Sequence, residues 1–253
     1  MRIYTTLVLS GFCFCASGFA QAASEVSVLV GAKAWYTDFS VEQTTKSSGF
    51  KFSLSSDSPK LMYGPAITVR YRNFQIGISQ ATVDFNLHYD YSDIIARDTG
   101  DYAYTRDETD INVAMSLNSN FSVVLGNKNL DNKLNITSQK TVFFDGITPT
   151  QYYPDETYSY VVKGYYIGAS AYTRPNPAGV VLFGNLALSK LKDQDNGDKY
   201  TGTHIDAGVG YIPKQIPAFM SISFRQQSYD FSNADYDGTE SYSGLNVTLN
   251  YRF

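Results

Sequence analysis

Residues 244–253, GLNVTLNYRF, constrain the fold more than any other stretch of the chain. Leu245, Val247, Leu249, Tyr251 and Phe253 are apolar or aromatic, and Gly244, Asn246, Thr248, Asn250 and Arg252 between them are not. Side chains along a strand alternate between its two faces, so this segment is a strand with one oily and one wet face. The apolar period is two, not the 3.6 of an amphipathic helix.

The same pattern recurs upstream. A first strand puts Val26, Val28, Val30, Ala32, Ala34 and Tyr36 on one face and Ser27, Gly31 and Lys33 on the other. Residues 60–72, 110–118, 121–128, 163–174, 180–190, 201–211 and 218–231 read as further strands, with Pro65 marking a bulge or irregular end. Residues 74–89 carry Phe74, Ile76 and Ile78 on one phase, then Ala81, Val83, Phe85 and Leu87 on the other, and a β-bulge is the expected cause of that slip. The connections alternate. Those at 72–73, 118–120, 175–179 and 213–217 are tight, whereas those at 40–59, 89–107, 129–160, 191–199 and 232–240 are long and polar. Asn196-Gly197 and Asp237-Gly238 are predicted as two-residue hairpin turns within the long set. Within 129–160, Leu134-Asn135-Ile136 and residues 141–144 allow an extra hairpin, either an extracellular extension or two further spanning strands.

The 253 residues suffice for one barrel-sized domain. Only 17% are charged, below the roughly 25% of an average soluble domain. A net charge of −4 offers no basic stripe for nucleic acid. Met1-Arg2, an apolar run over 7–20 and Ala20-Gln21-Ala22 predict a signal peptide over residues 1–22, leaving 23–253 as the mature domain. Cys13 and Cys15 both fall in that leader, so the mature chain is expected to have no disulfide and no thiolate metal site. No later apolar run approaches the roughly 18–20 residues of a spanning helix. If this chain spans a membrane it does so with strands, since only helices and closed barrels satisfy every backbone group in lipid.

A terminal Phe, an aromatic residue two before it and apolar residues at every second position resemble the C-terminal signature of bacterial outer-membrane β-barrel proteins. The resemblance implies an all-β fold, a single transmembrane antiparallel barrel with short periplasmic turns and long outer loops. The pattern gives about ten strands, with eight and twelve as the alternatives. It also implies the outer membrane of a Gram-negative bacterium, contact with its lipid and lipopolysaccharide, and recognition of Leu245, Val247, Leu249, Tyr251 and Phe253 by the barrel assembly machinery. A soluble β-sandwich or lipocalin-like barrel also alternates, and which face is apolar discriminates the two.

The wet faces carry the candidate site. Lys33, Arg70, Arg72, Lys128, Arg225 and Arg252, with Asp84, Asp110, His204 and Asp206, are expected to face the lumen. They would form either a charged constriction for permeating solutes or an ion-pair network holding a narrow barrel rigid. His204 and Asp206 point inward together, Asp84, Asp107, Glu108 and Asp110 lie near the outer ends of two earlier strands, and this arrangement resembles the rim of the omptin proteases. The order is His-x-Asp where omptins have Asp-x-His, and no Asp-x-Asp pair stands opposite. Ser189 and Ser228 lack the motif context of lipid-A-modifying barrels. The acidic segment 88–108 and the tyrosines Tyr89, Tyr91, Tyr102, Tyr104, Tyr152, Tyr153, Tyr158 and Tyr160 are candidate outer-loop surfaces for cations or an extracellular ligand. The expected function is non-enzymatic: a porin-like or structural barrel with passive diffusion of small solutes. A surface adhesin or receptor is the alternative, and a rim hydrolase the third reading. No catalytic residue, cofactor or metal is assigned.

Overall fold

The computed structural model describes residues 26–92, 96–145, 147–173 and 178–253, so the expected signal peptide lies outside the described residues. The described residues form twelve strands: β1 (Val26–Thr45), β2 (Lys51–Ser55), β3 (Lys60–Tyr71), β4 (Phe74–Ser92), β5 (Ala96–Ser116), β6 (Phe121–Phe143), β7 (Gln151–Tyr152), β8 (Glu156–Tyr172), β9 (Gly179–Asp193), β10 (Lys199–Ile212), β11 (Ala218–Ser232) and β12 (Tyr236–Arg252). All pairings are antiparallel, and β12 pairs with β1 from Leu29↔Arg252 to Thr45↔Tyr236, which closes the sheet on itself.

The sequence pattern predicts about ten strands, and the extra two are short. β2 pairs with residues 40–44 of β1, directly beyond the stretch of β1 that pairs with β3. β7 pairs with Lys140 and Thr141 of β6, on the register that β8 follows lower down. Each therefore continues an interrupted neighbour along the same edge. Neither is the separate spanning hairpin that residues 129–160 allowed, because β6 runs unbroken through that region to Phe143.

Pro65 produces a gap, not a bulge. The β3–β4 ladder passes from Tyr63↔Thr82 to Ala66↔Ser79 in constant register, missing Gly64 and Pro65, the second of which has no N–H to give. The bulge expected in β4 is also absent, since β4 keeps one register against β5 from Phe74↔Met115 to Ser92↔Arg97. What changes along β4 is the environment. Ile76 faces out and is exposed, while Ala81, Val83, Phe85 and Leu87 face in and are buried.

That inversion recurs around the wall. The lower outward positions are apolar and exposed: Tyr36, Leu61, Ile111, Leu125, Ile167, Leu188, Ile205, Phe224 and Leu245. The next outward positions up are polar: Asp38, Thr109, Asn127, Lys190, Thr203, Gln226 and Ser243. The apolar band is a lipid-facing belt. Above it the same strands continue as a water-facing barrel, which explains lengths up to 23 residues in β6 where roughly 9–11 span a bilayer. Most of what reads as long outer loop is therefore strand. Even Asp237-Gly238 lies inside β12, and the turn falls at Asn233, whose side chain accepts from the Asp235 and Tyr236 amides at 2.9 and 2.8 Å.

The belt's upper boundary can be checked on one strand. Ile222→Arg, within the belt on β11, is expected to cost about 2–4 kcal/mol, and Gln226→Arg, just above it, about 0–1 kcal/mol. Equal urea midpoints for the two refolded variants would refute the boundary.

Candidate functional site

The lumen holds a charged layer built on alternate residues of β5. Arg106, Glu108 and Asp110 all face inward and are buried. Glu108 is the hub. Lys128 of β6 donates to one of its oxygens at 2.9 Å, Arg106 to the other at 3.2 Å, and an Arg225 nitrogen of β11 stands 3.7 Å away. Lys33 is buried in the same layer. Asp110 lies opposite Lys128 in the ladder and accepts from the Tyr166 hydroxyl at 2.9 Å and the Asn112 amide at 3.2 Å. Asp206 lies directly opposite Arg225 on β10. Gln227, wholly buried, is best oriented with its oxygen accepting from Arg225 and its nitrogen donating to the Tyr229 hydroxyl.

An aromatic layer closes over this one. Phe39 stacks on Tyr104 at 4.9 Å between ring centres and packs on Tyr242 at 4.9 Å and Phe85 at 5.4 Å. The Tyr104 and Tyr242 hydroxyls meet at 3.0 Å, and Tyr104 also donates to Asn132 at 2.7 Å. Arg106 ties the layers together, its guanidinium 4.2 Å from the Tyr242 ring centre, while Arg225 lies 4.8 Å from that of Trp35. These side chains, with Met62, Val83, Leu130, Val162, Leu191 and Tyr229, form one buried cluster across the lumen. Beneath it, beside Asn185, His204, Asp206 and Arg225, a cavity of about 30 Å³ has room for a water or two. A hollow of about 740 Å³ beside Pro65, lined by Ala32, Ala34, Leu61, Tyr63 and Leu249 among others, opens on the outer wall.

Of the predicted network, Lys33, Asp110, Lys128, His204, Asp206 and Arg225 come together. Asp84 does not: it lies exposed on the outer wall, accepting from the Thr105 hydroxyl at 2.6 Å, because β4 lacks the bulge that would have turned it inward. Arg72 sits exposed in the tight β3–β4 turn with φ 53°. Arg70 and Arg252 stand near the turn ends of β3 and β12, far along the strands from Glu108, and Arg70 donates to the Arg72 carbonyl at 3.3 Å. The pattern overlooked Arg106, Glu108 and Glu240 as interior groups. Their even numbering on β5 and β12, in phase with Asp110 and Asn246, was the available signal.

His204 is buried with its ring edge-on to Tyr229 at 5.3 Å, and neither ring nitrogen has a hydrogen-bond partner among the described residues. It therefore lies within the packed interior and not on an open rim. His88, by contrast, is exposed on the outer wall and bonds Asp101 at 2.8 Å. The acidic segment around it is a strand pair, in which Asp101 and Asp107 face out while Glu108 faces in. The other exposed feature is the top of the β6–β8 hairpin, where Ile147 is 87% and Tyr152 77% exposed, with Phe144, Tyr153 and Tyr158 beside them.

No protein-family model and no curated protein sequence matches the chain. Among solved structures, the outer membrane protease OmpT from Escherichia coli superposes with a TM-score of 0.61, covering 94% of this chain and 100% of that one. The fold is that of an outer-membrane β-barrel. At 13% identity the likeness is one of architecture, and the protease activity belongs to that protein. The attachment invasion locus protein Ail of Yersinia pestis (TM-score 0.33, 12% identity, 88% and 99% coverage) and the Pseudomonas putida toluene transporter TodX (TM-score 0.36, 8% identity, 91% and 90% coverage) are also barrels. Their superposition is too loose to bear on this chain's function.

Proposed function

We propose that this chain is a ten-strand barrel of the Gram-negative outer membrane, closed to solutes and non-enzymatic, that acts at the cell surface through its extracellular wall. The observation that carries this reading is the filled lumen: Phe39, Phe85, Tyr104 and Tyr242 meet above a layer in which Arg106, Glu108 and Lys128 are buried. A narrow barrel leaves space only for filling side chains. Of the two roles open to the inward charges, the rigid network fits and the selective constriction does not, so passive diffusion is the least supported activity. The buried His204 likewise gives no support to hydrolysis at the rim. Lipid and lipopolysaccharide meet the apolar belt, and the outward Leu245, Val247, Leu249, Tyr251 and Phe253 beside the β12–β1 seam remain available to the assembly machinery.

The surface role rests on the β6–β8 hairpin, whose top exposes a large aromatic and apolar patch. Purified barrel in planar bilayers is expected to give no conductance steps, and stable steps from the wild-type chain would overturn closure. Cells displaying the barrel are expected to bind a solubilised extracellular-matrix preparation. Replacing residues 138–155 with a short turn should abolish that binding while leaving heat-modifiable migration intact. Unchanged binding would overturn the surface role.

A further inference from the structure

The wall above the belt is uneven, and its unevenness leaves one strand half-paired. β8 pairs with β6 along its whole length, from Phe121↔Ala171 to Ile136↔Glu156. On its other edge it pairs with β9 only from Val162↔Asp193 downward, with one further bond from the Gln194 amide to the Val161 carbonyl at 2.8 Å. Above that point residues 156–160 have no strand on this edge among the described residues. The cause is local. The β9–β10 hairpin turns at 193–198, where the Asp193 carboxylate accepts from the Asp195 amide at 2.8 Å and Gly197 takes φ 85°. β6 meanwhile runs on to Phe143.

Which backbone groups are left open follows from the ladder. In an antiparallel strand the N–H and C=O of one residue point to the same edge, and alternate residues point to opposite edges. Val161 directs its carbonyl toward β9, so Ser159 and Thr157 direct theirs to the same, open side. Tyr158 and Tyr160 direct theirs to β6. Soluble and surface proteins commonly blunt such an edge with lysine, proline, a bulge or a cover. Here the segment Glu156-Thr157-Tyr158-Ser159-Tyr160 has one charge and none of those devices, Pro154 standing just outside it. It is exposed over residues 156–159, with the small Thr157 and Ser159 side chains on the outer face and the large Tyr158 and Tyr160 on the inner one. Thr157 donates to Asn135 on β6 at 3.0 Å, and the Tyr158 hydroxyl bonds the Glu156 carboxylate, so both side chains are engaged within the hairpin while their strand edge is not.

Resting on the surface-binding reading above, we propose that the open edge of β8 at Thr157 and Ser159 is a strand-addition site for an extended, basic peptide segment of a soluble partner. An unpaired strand edge is complementary to one thing, another extended backbone, and backbone bonds then supply the affinity while alternate side chains supply the selectivity. The exposed carboxylates around the edge, Asp131, Asp145, Asp155 and Glu156, outnumber the lysines there, Lys133 opposite Ser159 on β6 and Lys140, and this sets the sign of the partner's charge. The neighbouring Phe144, Tyr152 and Tyr153 give its apolar side chains a surface to cover.

The ladder also supplies the test. Proline is tolerated in an edge strand where the N–H it removes faces solvent. Ser159→Pro therefore deletes an open-edge donor without taking a bond from β6, whereas Tyr158→Thr leaves the backbone edge intact and changes only a side chain. The probe is a biotinylated alternating peptide, KTVKVTVK, titrated against the full-length barrel in nanodiscs. Wild type is expected to bind with the Thr157 and Ser159 amides slowed in hydrogen exchange. Ser159→Pro is expected to weaken binding by roughly tenfold or more, as loss of backbone bonds predicts, with Tyr158→Thr much closer to wild type. No binding by wild type, binding without slowed exchange at those two amides, or equal binding by Ser159→Pro would each overturn the proposal. Matrix binding by cells that is lost on shortening 138–155 but unchanged by Ser159→Pro would leave the surface role standing and remove this edge from it.

Discussion

Glu108→Ala is expected to lower the stability of the barrel by about 3–5 kcal/mol, the range for removing one partner of a buried ion pair. The mechanism is not the loss of an attraction alone. Glu108 is 1% exposed and is the carboxylate that Lys128, Arg106 and Arg225 converge on. Truncating it removes the carboxylate on which Arg106, Lys128 and Arg225 converge, and buried positive charge that loses a counter-charge costs more than the pair contributed. Asp110 does not substitute, because it is already held by Tyr166 and Asn112. The measurement is the urea midpoint of refolded barrel in detergent micelles, read with the slope to confirm that only stability has moved. A loss below about 1 kcal/mol, the range of an exposed pair, would show that water reaches the layer and that the lumen is not sealed.

Phe85→Ala carries the second large effect, about 3–5 kcal/mol for a buried aromatic truncated in a packed core. Phe85 is wholly buried and lies 5.4 Å from Phe39, 6.2 Å from Tyr242 and 6.4 Å from Tyr104 between ring centres. Those three rings also hold one another, so the space left by Phe85 cannot collapse fully. The variant is expected to remain silent in planar bilayers even as its urea midpoint falls, since one missing ring makes a cavity and not a passage through the charged layer below. A cost under about 1 kcal/mol would mean that the aromatic layer is loosely packed. Conductance steps from this single change would mean that the layer is a gate, not a plug.

Much of this fold is legible along the chain, and particular residues show where legibility stops. The alternation of Leu245, Val247 and Leu249 is read correctly as an outward apolar face, and so are those of Ile205 and Val209 on β10 and Ile222 and Phe224 on β11. The tight turns expected at 72–73, 118–120 and 213–217 also fall there: the Asn118 side chain accepts from the Asn120 and Phe121 amides at 2.8 and 2.9 Å. The reading of β4 fails instructively. Its change of apolar phase after Ile78 looks like a bulge only if the apolar face is assumed to be the outward one throughout. The strand leaves the bilayer there, and from Ala81 onward the apolar face is the inner one. The same assumption sends Asp84 to the lumen and makes loops of the polar strand extensions above the belt. In the candidate site, Lys33, Asp110, Lys128 and Arg225 are legible as inward charges, but the pattern puts the hub Glu108 at an outer strand end. Its neighbours Asp107 and Thr109 give no apolar contrast by which its face could be recognised.

Alternation along the chain makes these segments strands with an oily and a wet face, because a period of two is a property of the backbone and needs no partner to be read. It also determines which residues share a face on each strand. What lies on either side of that face at each height, whether lipid, water or packed side chains, comes from the folded barrel. The folded barrel alone decides that the lumen is filled and that β8 outruns β9. Both outcomes depend on residues far apart in the chain meeting across the barrel or failing to reach one another, and no local pattern encodes that distance.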